Sequence, residues 1–235
     1  MKKILLILSC TVVLAGCSKE NDPKQALSIQ NDKITLVHDG TEKLIVKNAQ
    51  GDVTYSSENK YIASVTEDGT VTGGVKGETT IRAKSGDEVA ECTVEVKTLV
   101  NYLPDPYLGF GDDVNKVETE IAKNGKVEKT TNNLGQLIEV DGEKFVYLYI
   151  FENGKMTGCG FTFRTTEKSL KNTVDYLLER YVVVSKTGAY SYAFMSADKT
   201  TAVLLSPSEN NETINVVFVP YKDEQSRTAL LSRFF

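Results

Sequence analysis

The chain has 235 residues, a formal net charge of −5 at pH 7 and 40% hydrophobic residues. This length suggests one or two domains, and the hydrophobic content is ordinary for a globular protein. An acidic chain offers no basic surface for nucleic acid or for an anionic membrane face, so we expect no nucleic-acid partner.

The N-terminus has the pattern of a secretion signal. Residues 1–3 (MKK) are basic and residues 4–14 are mostly apolar. This run is shorter than the roughly 20 residues that cross a bilayer, which favours a signal peptide over residues 1–16. Residues 14–17 (LAGC) resemble the lipobox of bacterial lipoproteins. The resemblance implies cleavage before Cys17 and attachment of acyl chains, palmitate among them, to that cysteine; the alternative is an ordinary signal peptide cut elsewhere.

The residues after the cysteine predict the location of the protein. Residues 17–25 are polar and include a proline, which is typical of a flexible tether. Ser18, rather than Asp, follows the cysteine, and in lipoproteins this favours the outer membrane. Lys19, Glu20 and Asp22 resemble the export signal of Bacteroidetes surface lipoproteins. We therefore expect a lipid-anchored outer-membrane protein at the cell surface, with a periplasmic orientation as the alternative.

The other cysteines and the single histidine indicate no metal or cofactor. Cys92 and Cys159 remain after processing, and their spacing matches no zinc motif. We expect two buried free thiols, although a disulfide stays open if their Cα atoms lie within about 7 Å. His38 has no second histidine to assist it. We expect no cofactor.

Residues 26–97 alternate between apolar and polar side chains and contain regular turn signals, which predicts a β-sandwich. Asp68-Gly69 indicates a hairpin. Between residues 90 and 96, Ala90, Cys92 and Val94 share one face with Val96, as in a half-buried antiparallel strand.

This region resembles the bacterial immunoglobulin-like domain, group 2. The matching stretches are residues 53–57 (VTYSS), 63–65 (ASV), 68–72 (DGTVT), 76–83 (KGETTIRA) and 92–96 (CTVEV). Tyr55 stands where the family usually has tryptophan. The resemblance implies a sandwich without a catalytic site, which serves as a stalk or an adhesion module.

Residues 98–111 contain two prolines and several large apolar residues, so we expect a stiff linker that packs on the second domain. Residues 112–235 predict an α+β domain with an antiparallel sheet and two helices. The predicted elements are a helix from Asp112 or Asp113 to about Lys123, a meander of strands 134–140, 143–152 and 155–164, a helix 167–181, strands at about 182–185, 190–197, 200–206 and 213–220, and a short closing helix within 223–235. The whole chain is therefore mostly β.

The middle strand of the meander has apolar side chains on both faces, which predicts a central strand. Its aromatic face supplies the ligand-binding candidates Tyr147 and Tyr149, and the later strands add Tyr190 and Tyr192. Tyrosines on a sheet face stack on sugar rings or anchor protein partners. The alternative is that all four are core or rim aromatics.

The second domain lacks the parts of an enzyme site, since it has no histidine and no nucleophile with a base. Glu139, Asp141 and Glu152 lie near the ends of the meander, so a carboxylate pair, and with it a hydrolase, stays open. Asp105, Asp112 and Asp113 could form a calcium site, but helix capping and solvation explain these three carboxylates more simply. The sequence favours a domain that binds a glycan or an envelope protein on an immunoglobulin-like spacer. A structural accessory subunit of an envelope assembly is the alternative.

Overall fold

The computed structural model describes residues 25–101, 103–129, 133–140, 143–187, 190–208 and 210–221. The signal peptide, Cys17 and the closing helix predicted within residues 223–235 lie outside these ranges. No helix in the described ranges is long and apolar enough to cross a membrane.

Short strands form the N-terminal domain. They are β1 Ser28–Ile29, β2 Lys33–Val37, β3 Thr41–Lys43, β4 Val46–Lys47, β5 Thr54–Ser57, β6 Ala63–Val65, β7 Thr70–Gly73, β8 Gly77–Ser85 and β9 Glu88–Lys97. One sheet has the order β2-β9-β8-β5, a second has β3-β7-β6, and β1 pairs with β4. The pair β2–β9 is parallel and the others are antiparallel.

The alternation of apolar and polar residues along the strands predicts which side chains form the core of this domain. Buried apolar residues from the strands form one cluster, namely Ile34, Leu36, Leu44, Ala63, Val71, Ile81, Cys92, Val94 and Val96. Tyr55 packs against this cluster in the place of the family's tryptophan. Gly69 has φ +82°, and a Cβ there would lie 2.7 Å from the Tyr55 ring, so the turn requires glycine.

In its described residues the C-terminal domain has an antiparallel sheet and two helices, as predicted, and the sheet has eight strands where seven were predicted. Its elements are α1 Val114–Ile121, β10 Lys126–Lys129, β11 Asn133–Val140, β12 Glu143–Glu152, β13 Lys155–Arg164, α2 Glu167–Leu178, β14 Val182–Lys186, β15 Tyr192–Met195, β16 Thr201–Pro207 and β17 Thr213–Pro220. The strand order is β10-β11-β12-β13-β17-β16-β15-β14. Strand β17 therefore lies beside β13 and joins two meanders, β10 to β13 and β14 to β17, into one sheet.

Capping residues define the N-termini of the two helices. Asp113 caps α1, and its carboxylate accepts from the amide of Lys116 at 3.0 Å. Thr166 and Ser169 form a capping box at the start of α2. Both helices lie on the same face of the sheet, because their buried residues join one core cluster with the aromatic face of β12 and β13. This cluster includes Val117, Ile121, Tyr176, Leu177, Phe145, Tyr147, Tyr149, Phe161 and Phe163.

The linker packs on the C-terminal domain, as its apolar residues predict. Leu103 is buried within the core cluster, and Tyr107, Leu108 and Phe110 pack against it. Strand β10 was not predicted, because Val127 is its only apolar residue and gives no pattern. It forms as an edge strand that pairs with β11 through the backbone.

Both remaining cysteines are buried free thiols. Cys92 belongs to the N-terminal core and Cys159 to the C-terminal core. Burial raises the pKa of each thiol.

Candidate functional site

Tyr147 and Tyr149, two of the four candidate ligand-binding residues, lie in the core of the C-terminal domain. Neither side chain is exposed. The ring of Tyr147 lies 6.4 Å from that of Tyr149 and 5.1 Å from that of Phe161. A fully buried ring has no surface for a sugar. For these two residues the interpretation as core aromatics therefore replaces the ligand-binding one.

Their hydroxyl groups hold the linker instead. The Tyr147 hydroxyl donates to the carbonyl of Pro104 at 3.0 Å. The Tyr149 hydroxyl accepts from the amide of Tyr107 at 3.3 Å and donates to the side-chain oxygen of Gln136 at 3.0 Å. Burial raises the pKa of both phenols, so both stay neutral at physiological pH.

Tyr192 begins β15, and Tyr190 lies two residues before that strand, which starts later than the predicted residue 190. Tyr190 is 41% exposed. Tyr192 is half-buried, stacks on Phe194 at 5.7 Å, and has the ammonium of Lys186 at 4.9 Å from its ring centre. Three strands separate their region from β12. The four tyrosines therefore form no single site.

The accessible apolar surface is on the other face of β12. Val146, Leu148 and Ile150 are 50%, 41% and 40% exposed. Because side chains alternate along a strand, these three lie opposite the buried aromatic residues. An antiparallel sheet commonly leaves one face in water, and that face is then polar. An aliphatic stripe on the open face of a central strand departs from this pattern.

Two glycines leave Leu148 without cross-strand cover. Its register partners are Gly135 on β11 and Gly160 on β13, neither of which has a side chain. A Cβ at Gly160 would lie 2.4 Å from the carbonyl oxygen of Val216, so β13 and β17 admit no larger residue there. The result is a groove of about 300 Å³ along β12, β13 and β17. We call it the β12 groove.

The β12 groove is uncharged. Val146, Leu148 and Ile150 form one wall and Val217 contributes to the other, and none of the described residues that line the groove carries a charge. At one end, the hydroxyl of Thr162 donates to the side-chain oxygen of Asn215 at 2.7 Å. This polar pair is satisfied internally, which leaves an aliphatic surface with a polar end.

The sequence contains a signal for the groove that the aromatic pattern obscured. Both faces of β12 are apolar, and the tyrosines direct attention to the wrong face. The informative feature is a pair of glycines in strands that flank Leu148, namely Gly135 and Gly160. Glycine inside a strand marks a place where another group approaches closely or where side-chain cover is missing.

The acidic residues considered for calcium have separate partners. Asp105 accepts from Arg180, Asp112 accepts from Lys116, and Asp113 caps α1. Within the described ranges, no group of three or more His, Cys, Asp and Glu side chains is placed to hold a metal ion.

The carboxylates considered for a hydrolase give no geometry for catalysis. Glu152 is exposed at the end of β12. The side chains of Glu139 and Asp141 lie outside the described part of the chain. A carboxylate pair therefore stays a hypothesis.

Comparison with known families identifies the N-terminal part of the chain. Residues 25–95 match the bacterial Ig-like domain (group 2), and residues 1–18 match the prokaryotic membrane lipoprotein lipid attachment site. The N-terminal domain is a bacterial Ig-like domain, and the chain is a membrane-anchored lipoprotein.

Several solved structures are similar to the chain at a low level. A chain of the intimin–Tir90 complex is 21% identical with a TM-score of 0.29, and the match covers 42% of this chain and 58% of that one. An intimin mutant of EHEC O157:H7 is 14% identical with a TM-score of 0.29, covering 74% and 87%. Domains 5–6 of the S-layer protein SbsC are 14% identical with a TM-score of 0.26, covering 85% and 86%. Scores this low carry no argument about function. No curated protein matches the chain.

The Tyr149 hydroxyl gives a direct test of the buried aromatic face. In Tyr149→Phe, the amide of Tyr107 and the side chain of Gln136 each lose a partner. Unsatisfied buried polar groups cost about 1–3 kcal/mol, so we expect the free energy of unfolding in urea to fall by about that amount. Tyr190→Phe, at an exposed ring, is the matched control and should change it by less than about 0.5 kcal/mol. Equal effects in the two variants would contradict the burial of Tyr149.

Proposed function

We propose that this lipoprotein is anchored in the outer membrane, faces the cell surface, and binds a protein partner through the β12 groove. In this proposal residues 17–25 are the lipidated tether, residues 26–97 are a spacer, residues 98–111 are the linker, and residues 112–235 are the binding domain. The observation that carries the proposal is the exposed aliphatic stripe of β12 at Leu148 between two glycines.

The uncharged aliphatic lining of the groove indicates what kind of partner it fits. Removing apolar surface from water is favourable by about 25 cal/mol of free energy for each Å². Val146, Leu148 and Ile150 therefore favour an apolar occupant. No charged side chain among the described lining residues would attract a charged ligand, and the Thr162–Asn215 pair is already satisfied. The partner is therefore a polypeptide segment that presents uncharged aliphatic side chains.

A glycan at Tyr190 is the second candidate. The ring of Tyr190 is accessible, and Lys186 lies close to the neighbouring Tyr192. Sugar rings stack on such aromatic faces. This site lies on a different part of the sheet from the β12 groove, so substitutions separate the two candidates.

The identity of the partner separates adhesion from an accessory role. A resident envelope protein in the β12 groove makes the chain an accessory subunit of an envelope assembly. A foreign protein makes it an adhesin. The same contact chemistry serves both, and neither requires a cofactor or catalysis.

Cys17→Ser tests the anchor. Without the thiol no acyl chain is attached, so we expect loss of labelling by an alkyne-tagged palmitate analogue and loss of the mature form from the outer-membrane fraction. Cys10→Ser, within the signal peptide, is the control and should leave both unchanged. Brief protease treatment of intact cells then tests surface exposure. Normal lipid labelling of the Cys17→Ser variant would overturn this assignment.

Site-specific photo-crosslinking tests the β12 groove. We expect a photoreactive amino acid in place of Leu148 to give one dominant protein adduct in the producing cells or their contact partner. The same amino acid in place of Val89 of the Ig-like domain, which is 50% exposed against 41% for Leu148, is the control. A second substitution, Ile150→Asp, places a charge in the apolar groove and should reduce the Leu148 adduct at least tenfold.

Two outcomes would count against the groove. The first is an identical set of adducts at Leu148 and Val89. The second is a Leu148 adduct that survives Ile150→Asp. Binding of the chain to a glycan array that is lost in Tyr190→Ala and kept in Ile150→Asp would favour the second candidate.

A further inference from the structure

We propose that the two domains form one rigid arm, locked by a joint in which Asp105 of the linker binds Lys76 of the Ig-like domain and Arg180 of the C-terminal domain at once. The joint fixes the direction in which the C-terminal domain faces relative to the Ig-like domain. This proposal is independent of which ligand the C-terminal domain binds.

The carboxylate of Asp105 connects three parts of the chain. Its Oδ2 accepts from Nζ of Lys76 at 2.6 Å. Its Oδ1 accepts from Nε of Arg180 at 2.6 Å and from the hydroxyl of Tyr176 at 2.9 Å. Each oxygen thus holds one domain, and displacement of either domain breaks a charged hydrogen bond.

The linker presents this carboxylate in a fixed conformation. Asp105 stands between Pro104 and Pro106. Proline restricts its own φ and the conformation of the residue before it, so the backbone of Asp105 is confined to extended conformations. The Tyr147 hydroxyl also binds the carbonyl of Pro104. Less conformational entropy is lost when such a segment forms its contacts.

Arg180 needs Asp105 for electrostatic reasons. Its side chain is only 7% exposed, and its guanidinium lies 3.9 Å from the ring centre of Tyr176. It also donates to the carbonyl of Val100 at 3.0 Å. Burial pushes the pKa of the Asp105 carboxyl up, but hydrogen bonds from Lys76 and Arg180 outweigh burial and hold it below its ordinary value. The carboxylate therefore stays charged at neutral pH.

Glu179 adds backbone contacts to the joint. Its carboxylate accepts from the amides of Leu99 and Val100 at 3.0 and 2.8 Å, where the linker leaves the Ig-like domain. Its carbonyl accepts from the amide of Lys76 at 2.7 Å. The C-terminal end of α2 thus binds both the linker and the β7–β8 loop of the Ig-like domain.

A second point of contact opposes rotation about the first. The side-chain amide of Asn59 donates to the carbonyl of Ala197 at 3.1 Å. Nearby, the ammonium of Lys199 lies 5.9 Å from the ring centre of Tyr61. A single contact leaves a hinge free to rotate, whereas two separate contacts and a short linker restrict it.

Distance measurement between spin labels tests the joint. The labels replace Val89, near the start of β9 and far from the linker, and Val146 on β12, both about half exposed. The native Cys92 and Cys159 are buried and should stay unlabelled. In a soluble chain of residues 18–235, which lacks Cys17, we expect one narrow distance distribution.

The opening variant combines Lys76→Ala with Asn59→Ala. Both residues belong to the Ig-like domain, and the Asp105–Arg180 pair stays intact. Asn59→Ala also removes the acceptor of the Tyr61 amide within that domain, so the fold of the variant is checked by thermal unfolding. We expect the distance distribution to become at least twice as wide. Lys43→Ala removes an exposed ion pair with Asp68 inside the Ig-like domain and is the matched control, which should leave the width unchanged.

Thermal unfolding of all three chains confirms that the domains remain folded. A broad distribution in the parent chain would overturn the rigid joint. An unchanged width in the folded Lys76→Ala, Asn59→Ala variant would overturn the assignment of the joint to these contacts. Neither result depends on a ligand, so neither bears on the β12 groove.

Discussion

The structure of the C-terminal domain depends on the choice of which face of β12 is covered. Both faces are apolar, but only one carries hydroxyl groups. A buried hydroxyl without a partner costs about 1–3 kcal/mol, so Tyr147 and Tyr149 can enter the core only where partners exist. The linker and Gln136 supply those partners. The aliphatic side chains need none, so the hydroxyl groups make the aromatic face the more demanding one to bury. The partners on the linker and on Gln136 allow that face to turn inward.

The contacts that cover the aromatic face also position the linker, and the position of the linker determines where the joint forms. Because the Tyr147 hydroxyl holds Pro104, the next residue, Asp105, lies beside Arg180 and Lys76. In the proposed account, the same residues that fill the core of the binding domain therefore set its orientation on the Ig-like spacer. The β12 groove and the joint are consequences of one packing arrangement.

Much of this fold could be predicted from local patterns. Alternation of apolar residues located the strands of the meander, Asp112 and Asp113 marked the start of α1, and the Ig-like domain was recognised from its sequence stretches. The N-cap of α2, Thr166, was not predicted. The covered face could not be predicted, because a period of two defines two faces without saying which one meets the helices. The pairing of β13 with β17 joins residues 49 to 59 positions apart, and no local signal indicates it. Asp105 finds partners 29 residues before it and 75 after it, so its role also has no local signature.

The central claim is that the aliphatic face of β12 is open while the aromatic face is closed, and thiol labelling tests it most directly. In a soluble chain of residues 18–235, which lacks Cys17, the new thiol of Leu148→Cys should react with a maleimide at a rate within about tenfold of a free thiol. Cys159 on the adjacent strand and Cys92 in the Ig-like core serve as internal controls and should react only after unfolding. A Leu148→Cys thiol as slow as Cys159 in the folded chain would contradict the account, because the groove would then be closed.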